Sequence, residues 1–176
     1  MAGIDRRARD VRLAVFDVDG VFTDGTLWLG MDGREQVKPF DIHDGHGVKM
    51  LQAGGVRTAI ITGRKSGAVA ARARELGIGD LIQGARDKVK AFERLLRRYR
   101  LDASECAYMG DDLPDLGVMQ RCGFAVAPAN AIGAVRDRAL LVTRAAGGRG
   151  AVRELCERIL VAQGRRDLVS GATPVR

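Results

Sequence analysis

A mostly apolar run followed at once by two aspartates constrains the fold more than any other stretch of the 176-residue chain. Residues 11–16 read VRLAVF, and DVDG comes next, so that Asp17 and Asp19 directly follow the run. A short apolar run with this abrupt polar end is typical of a buried strand in a parallel sheet. Open sheets of that kind bind ligands beyond the carboxyl ends of their strands. The stretch therefore predicts an α/β fold with a reaction centre at Asp17 and Asp19.

The rest of the chain alternates short apolar stretches with longer amphipathic ones. Strands are predicted at 11–16, 56–61, 80–82, 106–109, 124–126 and 140–142, and helices at 44–53, 65–76, 86–99, 113–121, 131–136 and from 152 onwards. Asp44 is expected to cap the first of these helices. The alternation predicts a three-layer, Rossmann-like parallel sheet with helices on both faces. We expect one domain over 1–176, with a flexible C-terminal tail at 164–176.

A β-hairpin is predicted directly after the first strand. Residues 26–29 and 35–40 would form its arms, and Asp32-Gly33 supplies the residues that a tight turn requires. The sequence thus predicts a hairpin inserted between the first and second strands of the main sheet.

Composition and charge argue against several classes of protein. The formal charge is +7, but no basic run is interleaved with aromatic residues, so we expect no nucleic-acid binding. The arginines are assigned to polar helix faces or, for Arg6, Arg7 and Arg9, to an N-terminal tail. The 3 cysteines are far apart and are expected to be reduced thiols. With no apolar segment long enough to span a bilayer and no apolar core of a signal peptide, we expect a cytoplasmic protein that does not bind membranes.

Polar residues end two further predicted strands. Thr62 follows the second strand, and Asp111 and Asp112 follow the fourth. Because parallel strands end at one edge of a sheet, these side chains are expected to converge on Asp17 and Asp19. Gathered carboxylates repel one another unless a cation lies between them, and oxygen ligands of this kind suit Mg²⁺. Taken singly, each acidic motif is more often only a turn; together they predict a metal and phosphate site.

Four motifs resemble those of the haloacid dehalogenase superfamily, in the order in which that family carries them. They read DVDGVFTDG, ITGR, DKVKAF and GDDLPD. The resemblance implies that Asp17 is the nucleophile, that Asp19 is the general acid and base, and that Thr62 and Lys88 contact the phosphoryl group. It also implies Mg²⁺ as cofactor, held by the carboxylates of Asp17 and Asp111 and the backbone carbonyl of Asp19. Without the resemblance, Lys88 would be read as a solvated helix charge and Thr62 as a strand-end cap.

Two further acidic residues of the fourth motif are less specific. Asp112 is a candidate to orient Lys88 or a metal-bound water without itself contacting the metal or the substrate. Asp115, just after Pro114, is expected to favour the first turn of its helix.

Many members of the superfamily carry a separate cap domain, for which neither gap between the early strands leaves room here. An uncapped site stays open to water unless another chain covers it. The resemblance is to capless members that form homotetramers and hydrolyse phosphorylated keto sugar acids in lipopolysaccharide biosynthesis. It implies that the hairpin at 26–40 packs against its equivalents and covers a neighbour's site.

The residues after the second strand bear on the substrate. Gly63 and Arg64 are expected to contact it together with Thr62 and Lys88. Arg64 is assigned to the carboxylate of a sugar acid, because a guanidinium can pair bidentately with a carboxylate. The resemblance implies glutamate at this place in related phosphatases of nine-carbon keto sugar acids, so that Arg64 favours an eight-carbon sugar acid. The alternatives are a phosphatase of nine-carbon sugar acids, a response-regulator receiver, against which the paired aspartates of the first strand argue, and a non-catalytic oligomerisation module.

Overall fold

The computed structural model describes residues 2–172. Its strands are β1 Leu13–Phe16, β2 Trp28–Leu29, β3 Glu35–Val37, β4 Arg57–Ile61, β5 Asp80–Ile82, β6 Cys106–Met109, β7 Phe124–Ala127 and β8 Leu141–Val142. Its α-helices are α1 Ala2–Arg9, α2 Ile42–Ala53, α3 Gly67–Leu76, α4 Lys88–Tyr99, α5 Leu116–Met119, α6 Gly133–Arg136, α7 Ala151–Ala162 and α8 Arg166–Val169. Short 3₁₀-helices cover Ala103–Glu105 and Leu113–Asp115.

Six of the strands form one parallel sheet in the order β5-β4-β1-β6-β7-β8. The strand order places β1 in the interior of the sheet, where it pairs in parallel with β4 and β6. Strands β2 and β3 pair antiparallel as a separate hairpin. The predicted fold class is confirmed, and the hairpin lies where the sequence predicted it, between β1 and α2.

Alternate residues of the strands face opposite layers of the core. On β1, Ala14 and Phe16 pack with α2, α3 and α7, whereas Leu13 and Val15 pack with α4 and α5. Since every residue of β1 is buried, the strand reads as a continuous apolar run. The two clusters give the three layers that the alternation of strands and helices predicted.

Two segments differ from the sequence prediction because of how helices begin. Helix α2 is capped by Asp41, whose side chain accepts from the backbone N–H of His43, so the prediction that Asp44 caps it was wrong. Asp44 is buried and instead accepts from the backbone N–H groups of Gly150 and Arg153 at the start of α7. The helix predicted at 113–121 is a 3₁₀ turn followed by the short helix α5.

Both ends of the described chain carry helices that the sequence prediction missed. Arg6, Arg7 and Arg9 lie on α1, whose Ala8 is buried, and not on an unstructured tail. Beyond Gly164, where we expected a frayed segment, α8 buries Leu168 against the core. The last residues of the predicted flexible tail, 173–176, lie outside the described part of the chain.

The connections that could house a cap domain hold little in this fold. Between β1 and β4 the chain forms only the hairpin and α2, and between β5 and β6 only α4 and one 3₁₀ turn. Within residues 2–172, no helix combines the length and the apolar character needed to cross a membrane. The 3 cysteines are free thiols, of which Cys106 and Cys156 are buried.

Candidate active site

The acidic residues gather at the carboxyl edge of the sheet because β1, β4 and β6 run in parallel. Phe16 is paired with Ile60 on one side and Met109 on the other, so that the three strands end at the same level. The backbone N–H of Asp17 donates to the carbonyl of Met109 at 3.0 Å. Asp17 is therefore fixed between the ends of its two neighbouring strands, as the sequence predicted.

Lys88 reaches this edge from the first turn of α4. Asp87 caps that helix by accepting from the backbone N–H of Lys90, so Lys88 is its first residue. The buried Nζ of Lys88 lies 2.8 Å from Oδ2 of Asp17 and 2.7 Å from Oδ1 of Asp115. Burial lowers the pKa of Lys88, but the two carboxylates outweigh burial and raise it above its ordinary value. Lys88 is thus a charged partner of Asp17 and not a solvated helix residue.

Asp115 anchors this lysine, a role that the sequence analysis did not assign to it. Its fully buried carboxylate also accepts from the hydroxyl of Tyr108 at 2.6 Å and from the backbone N–H groups of Asp111 at 3.1 Å and Asp112 at 3.2 Å. Asp112 is exposed, and its Oδ1 accepts from the backbone N–H of Leu113 at 2.7 Å. Among the described residues Lys88 is held by Asp17 and Asp115 and not by Asp112, whereas a role of Asp112 towards a metal-bound water stays a prediction.

The carboxylates of Asp17, Asp111 and Asp115 each offer one oxygen to a set of three that lie within 4.8 Å of one another. Asp115 has its oxygens occupied by donors, whereas Oδ1 of Asp17 and Oδ1 of Asp111 are buried without a hydrogen-bond partner. A buried carboxylate oxygen left unpaired is costly, and a bound cation removes that cost. The donor set consists of hard oxygens, as Mg²⁺ requires. Asp17 and Asp111 therefore fit a magnesium site.

Burial and mutual repulsion disturb the ionisation of both carboxylates. Burial raises the pKa of Asp17 to about 6, with a further contribution from Asp115 that Lys88 partly offsets. Burial, followed by the charges of Asp17 and Asp115, raises the pKa of Asp111 to about 7. A divalent cation between them would reverse both effects, because it favours the ionised form.

Gly20 lets the loop after Asp19 approach Asp111 closely. Its φ is +86°, and a Cβ at this position would collide with the carboxylate of Asp111. Asn130 fastens the same loop, since its Nδ2 donates to the carbonyl of Gly20 at 3.1 Å and its Oδ1 accepts from the N–H of Gly147 at 2.6 Å. The sequence analysis had no signal for Asn130, because the bridge joins segments more than 100 residues apart.

The hairpin of the same chain also reaches the site, which the sequence analysis missed. The buried Lys38, just after β3, forms an ion pair and hydrogen bond with Oδ1 of Asp19. Its Nζ also lies 3.0 Å from Oε2 of Glu35, at an angle too oblique for a hydrogen bond. The other carboxylate oxygen of Glu35, Oε1, accepts from the hydroxyl of Ser66 at 2.6 Å. Asp19 is therefore held by a residue of the hairpin.

Three of the four predicted substrate residues follow β4. Thr62 is buried, and its Oγ accepts from the backbone N–H of Arg64 at 3.4 Å. Gly63 has open space where a side chain would lie. Arg64 is half-exposed, with Nη2 3.7 Å from Oε2 of Glu35. The segment thus offers one buried hydroxyl, one open backbone position and one guanidinium that retains access to solvent.

Comparison with known proteins shows the family to which this chain belongs. Residues 73–155 match the family model of haloacid dehalogenase-like hydrolases. The chain is 44% identical to the 3-deoxy-D-manno-octulosonate 8-phosphate phosphatase of Escherichia coli K12 over 170 residues, which cover 97% of this chain and 90% of that protein. The chain therefore belongs to the octulosonate 8-phosphate phosphatase family of haloacid dehalogenase-like hydrolases.

Solved structures of octulosonate 8-phosphate phosphatases share the fold over nearly their whole length. The enzyme of Yersinia pestis matches with a TM-score of 0.90 and 43% identity, over 93% of this chain and 88% of that one. The enzyme of Moraxella catarrhalis, solved with magnesium, phosphate and 3-deoxy-D-manno-octulosonate (KDO), matches with a TM-score of 0.94 and 40% identity, over 98% of this chain and 99% of that one. The fold described above is thus shared with solved octulosonate 8-phosphate phosphatases over most of their length.

Proposed function

We propose that this protein is a Mg²⁺-dependent phosphatase that hydrolyses 3-deoxy-D-manno-octulosonate 8-phosphate in lipopolysaccharide biosynthesis. The observation that carries the proposal is the state of Asp17, whose Oδ2 is held by Lys88 while its Oδ1 is buried without a partner beside Asp111. One oxygen is thereby oriented and the other is left for a ligand. The choice of sugar is supported by the 44% sequence identity, over 97% of this chain, to a phosphatase of this substrate.

The reaction follows from the roles of the two aspartates. Asp17 attacks phosphorus in line, and a bond from its oxygen to phosphorus forms as the bond from phosphorus to the sugar oxygen breaks. Asp19 gives its proton to the departing oxygen, which leaves as the sugar alcohol. Water then attacks the aspartyl-phosphate, Asp19 accepts a proton from that water, and phosphate leaves while Asp17 is regenerated.

Asp17 and Asp111 would hold Mg²⁺ together with the backbone carbonyl of Asp19. When bound, the cation supplies charge stabilisation for the phosphoryl oxygens. Lys88 keeps Asp17 ionised and, with the hydroxyl of Thr62, donates to the same oxygens. Asp115 fixes Lys88 for this task.

The sugar acid is assigned to the open side of the site at Gly63 and Arg64. The guanidinium of Arg64 has access to solvent and lies only loosely against Glu35, so it is available to pair with the substrate carboxylate. A charge-assisted pair of this kind discriminates sugar acids from neutral sugar phosphates.

We further propose a cytoplasmic homotetramer built from one phosphatase domain in each chain. The hairpin exposes Trp28, Leu29, Met31 and Val37, and Trp28 alone leaves 57% of its surface accessible. Apolar side chains clustered on a protruding element are typical of an interface. A second copy of the chain is the proposed occupant, because a capless site needs cover against water.

The proposal is tested by a screen for phosphate release with and without Mg²⁺ across phosphorylated sugars. We expect turnover of octulosonate 8-phosphate to exceed that of nonulosonate 9-phosphates, and chelation to abolish it. A preference for the nine-carbon substrates would assign the protein to that alternative class. Absence of Mg²⁺-dependent release from every substrate would instead favour a non-catalytic module.

A further inference from the structure

We propose that Lys38 is the positioning residue of the proton-transfer step, acting through Asp19. The inference rests on the proposed phosphatase function and adds a residue of the hairpin to its machinery. The hairpin would then serve its own chain's chemistry as well as contacts between chains.

The burial of Lys38 is the first observation behind this inference. Only 2% of its side chain is exposed, although lysine is among the residues least often buried. Removing an ammonium group from water is costly unless partners compensate for it. Lys38 has two such partners, the carboxylates of Asp19 and Glu35.

The second observation is the asymmetry of those two partners. Glu35 is also held by the hydroxyl of Ser66, at the start of α3, so it is fixed to the body of the protein. Asp19 retains 23% exposure of its side chain and has Lys38 as its side-chain partner within the described residues. Lys38 is therefore a rigid support for Asp19, with Glu35 as the counter-charge that keeps Lys38 in place.

This arrangement suits an acid that must lose and regain a proton. Ser66 fixes Glu35, and Lys38 contacts Glu35 as well as Asp19, so the ammonium has an anchor that does not depend on Asp19. The side chain of Asp19 is thereby held in one orientation at the edge of the site. An orientation error of about 1 Å in a catalytic group costs on the order of 10²-fold in rate.

The experiment compares leaving groups, because the first step needs Asp19 only when the leaving oxygen is a poor leaving group. Wild-type protein and Lys38→Met are assayed with octulosonate 8-phosphate, whose leaving group is an alkoxide, and with p-nitrophenyl phosphate, whose phenolate departs without a proton. Rapid-quench measurement isolates the phosphorylation step. We expect Lys38→Met to slow that step on the order of 10²-fold for the sugar phosphate and less than about threefold for the aryl phosphate.

A double-mutant cycle with Asp19→Asn separates positioning from any independent role. If Lys38 acts through Asp19, Lys38→Met should have almost no further effect on sugar phosphate turnover in the Asp19→Asn protein. If the rate loss in the double mutant equals the product of the losses in the two single mutants, the residues act independently and the inference is overturned. Lys90→Met is the matched control, since Lys90 is an exposed lysine of α4, and it should behave as wild type.

Folding is monitored by circular dichroism and thermal unfolding. Because Lys38→Met leaves two carboxylates without their cation, the charge-balanced variant Lys38→Met/Glu35→Gln is tested in parallel and should show the same selective loss. Equal losses on both substrates in a folded variant would mean a purely structural ion pair, and no loss on either would also refute the inference.

If wild-type protein hydrolyses the aryl phosphate but not the sugar phosphate, the proposed substrate fails. The leaving-group comparison is then made with simple alkyl phosphates and still decides the role of Lys38.

Discussion

Replacement of Asp115 by asparagine is expected to destabilise the protein strongly, although the two side chains have nearly the same shape. The carboxylate accepts from Lys88, from the hydroxyl of Tyr108 and from two backbone N–H groups. An amide has one oxygen, and whichever way it is flipped its NH₂ group faces donors. At least two buried donors therefore lose their acceptor, and Asp17 is left as the one carboxylate paired with Lys88.

The magnitude follows from two opposing effects. Removal of one partner from a buried ion pair costs about 3–5 kcal/mol. Burial is the main cause of the raised pKa values of Asp17 and Asp111, but repulsion by Asp115 adds to it, so neutralising Asp115 returns part of that cost. We therefore expect the free energy of unfolding to fall by about 3 kcal/mol, the lower end of that range. At about 2–4 °C per kcal/mol for a chain of this size, Tm should fall by about 6–12 °C.

The assay is urea and thermal unfolding followed by circular dichroism, in chelator and at one protein concentration, because ligands and oligomerisation shift apparent stability. Asp112→Asn is the matched control. Asp112 is exposed and caps a 3₁₀ turn, where asparagine serves equally well, so its effect should stay within about 0.5 kcal/mol. The reasoning is refuted if Asp115→Asn and Asp112→Asn differ by less than about 1 kcal/mol.

Three other changes have defined outcomes. Asp17→Asn should reduce phosphate release by at least about 10³-fold with an unchanged circular dichroism spectrum, and substantial residual turnover would exclude Asp17 as the nucleophile. Burial raises the pKa of Asp17 to about 6 and of Asp111 to about 7, above their unfolded values of about 4, so without metal the free energy of unfolding should fall as pH rises from about 4 to about 7. Mg²⁺ needs the ionised carboxylates, so calorimetry should show a larger rise in Tm at about pH 8 than at about pH 5, and an equal rise would contradict the assignment. Trp28→Glu should shift the protein towards smaller species in light scattering and lower its activity, whereas an unchanged mass would argue against the hairpin interface.

The positions of Asp17, Thr62 and Asp111 were predictable because a strand is recognised locally and its end is marked by the first polar residue. Parallel pairing then brings the ends together without any further information. The alternation of strands and helices gave the layers of the fold, and the turn residues Asp32-Gly33 gave the hairpin. Element ends moved by a few residues, as with Asp41 in place of Asp44 at the start of α2, because capping depends on which side chain reaches a free N–H group.

The roles of Asp115 and Lys38 were not predictable in this way. Both are charged residues in polar stretches, which locally indicate a helix start and a hairpin arm. Their function depends on burial and on partners 27 and 19 residues away, respectively. Charge and spacing do not reveal whether a side chain faces water.

The sequence by itself therefore determined the α/β class, the acidic edge and its motifs, since these follow from periodicity and from residues adjacent in the chain. The tertiary structure decided which carboxylate of the fourth motif holds Lys88, and which residue of the hairpin supports Asp19. The physical reason is that the electrostatic role of an ionisable group depends on its burial and its partners, which exist only once distant segments have packed together.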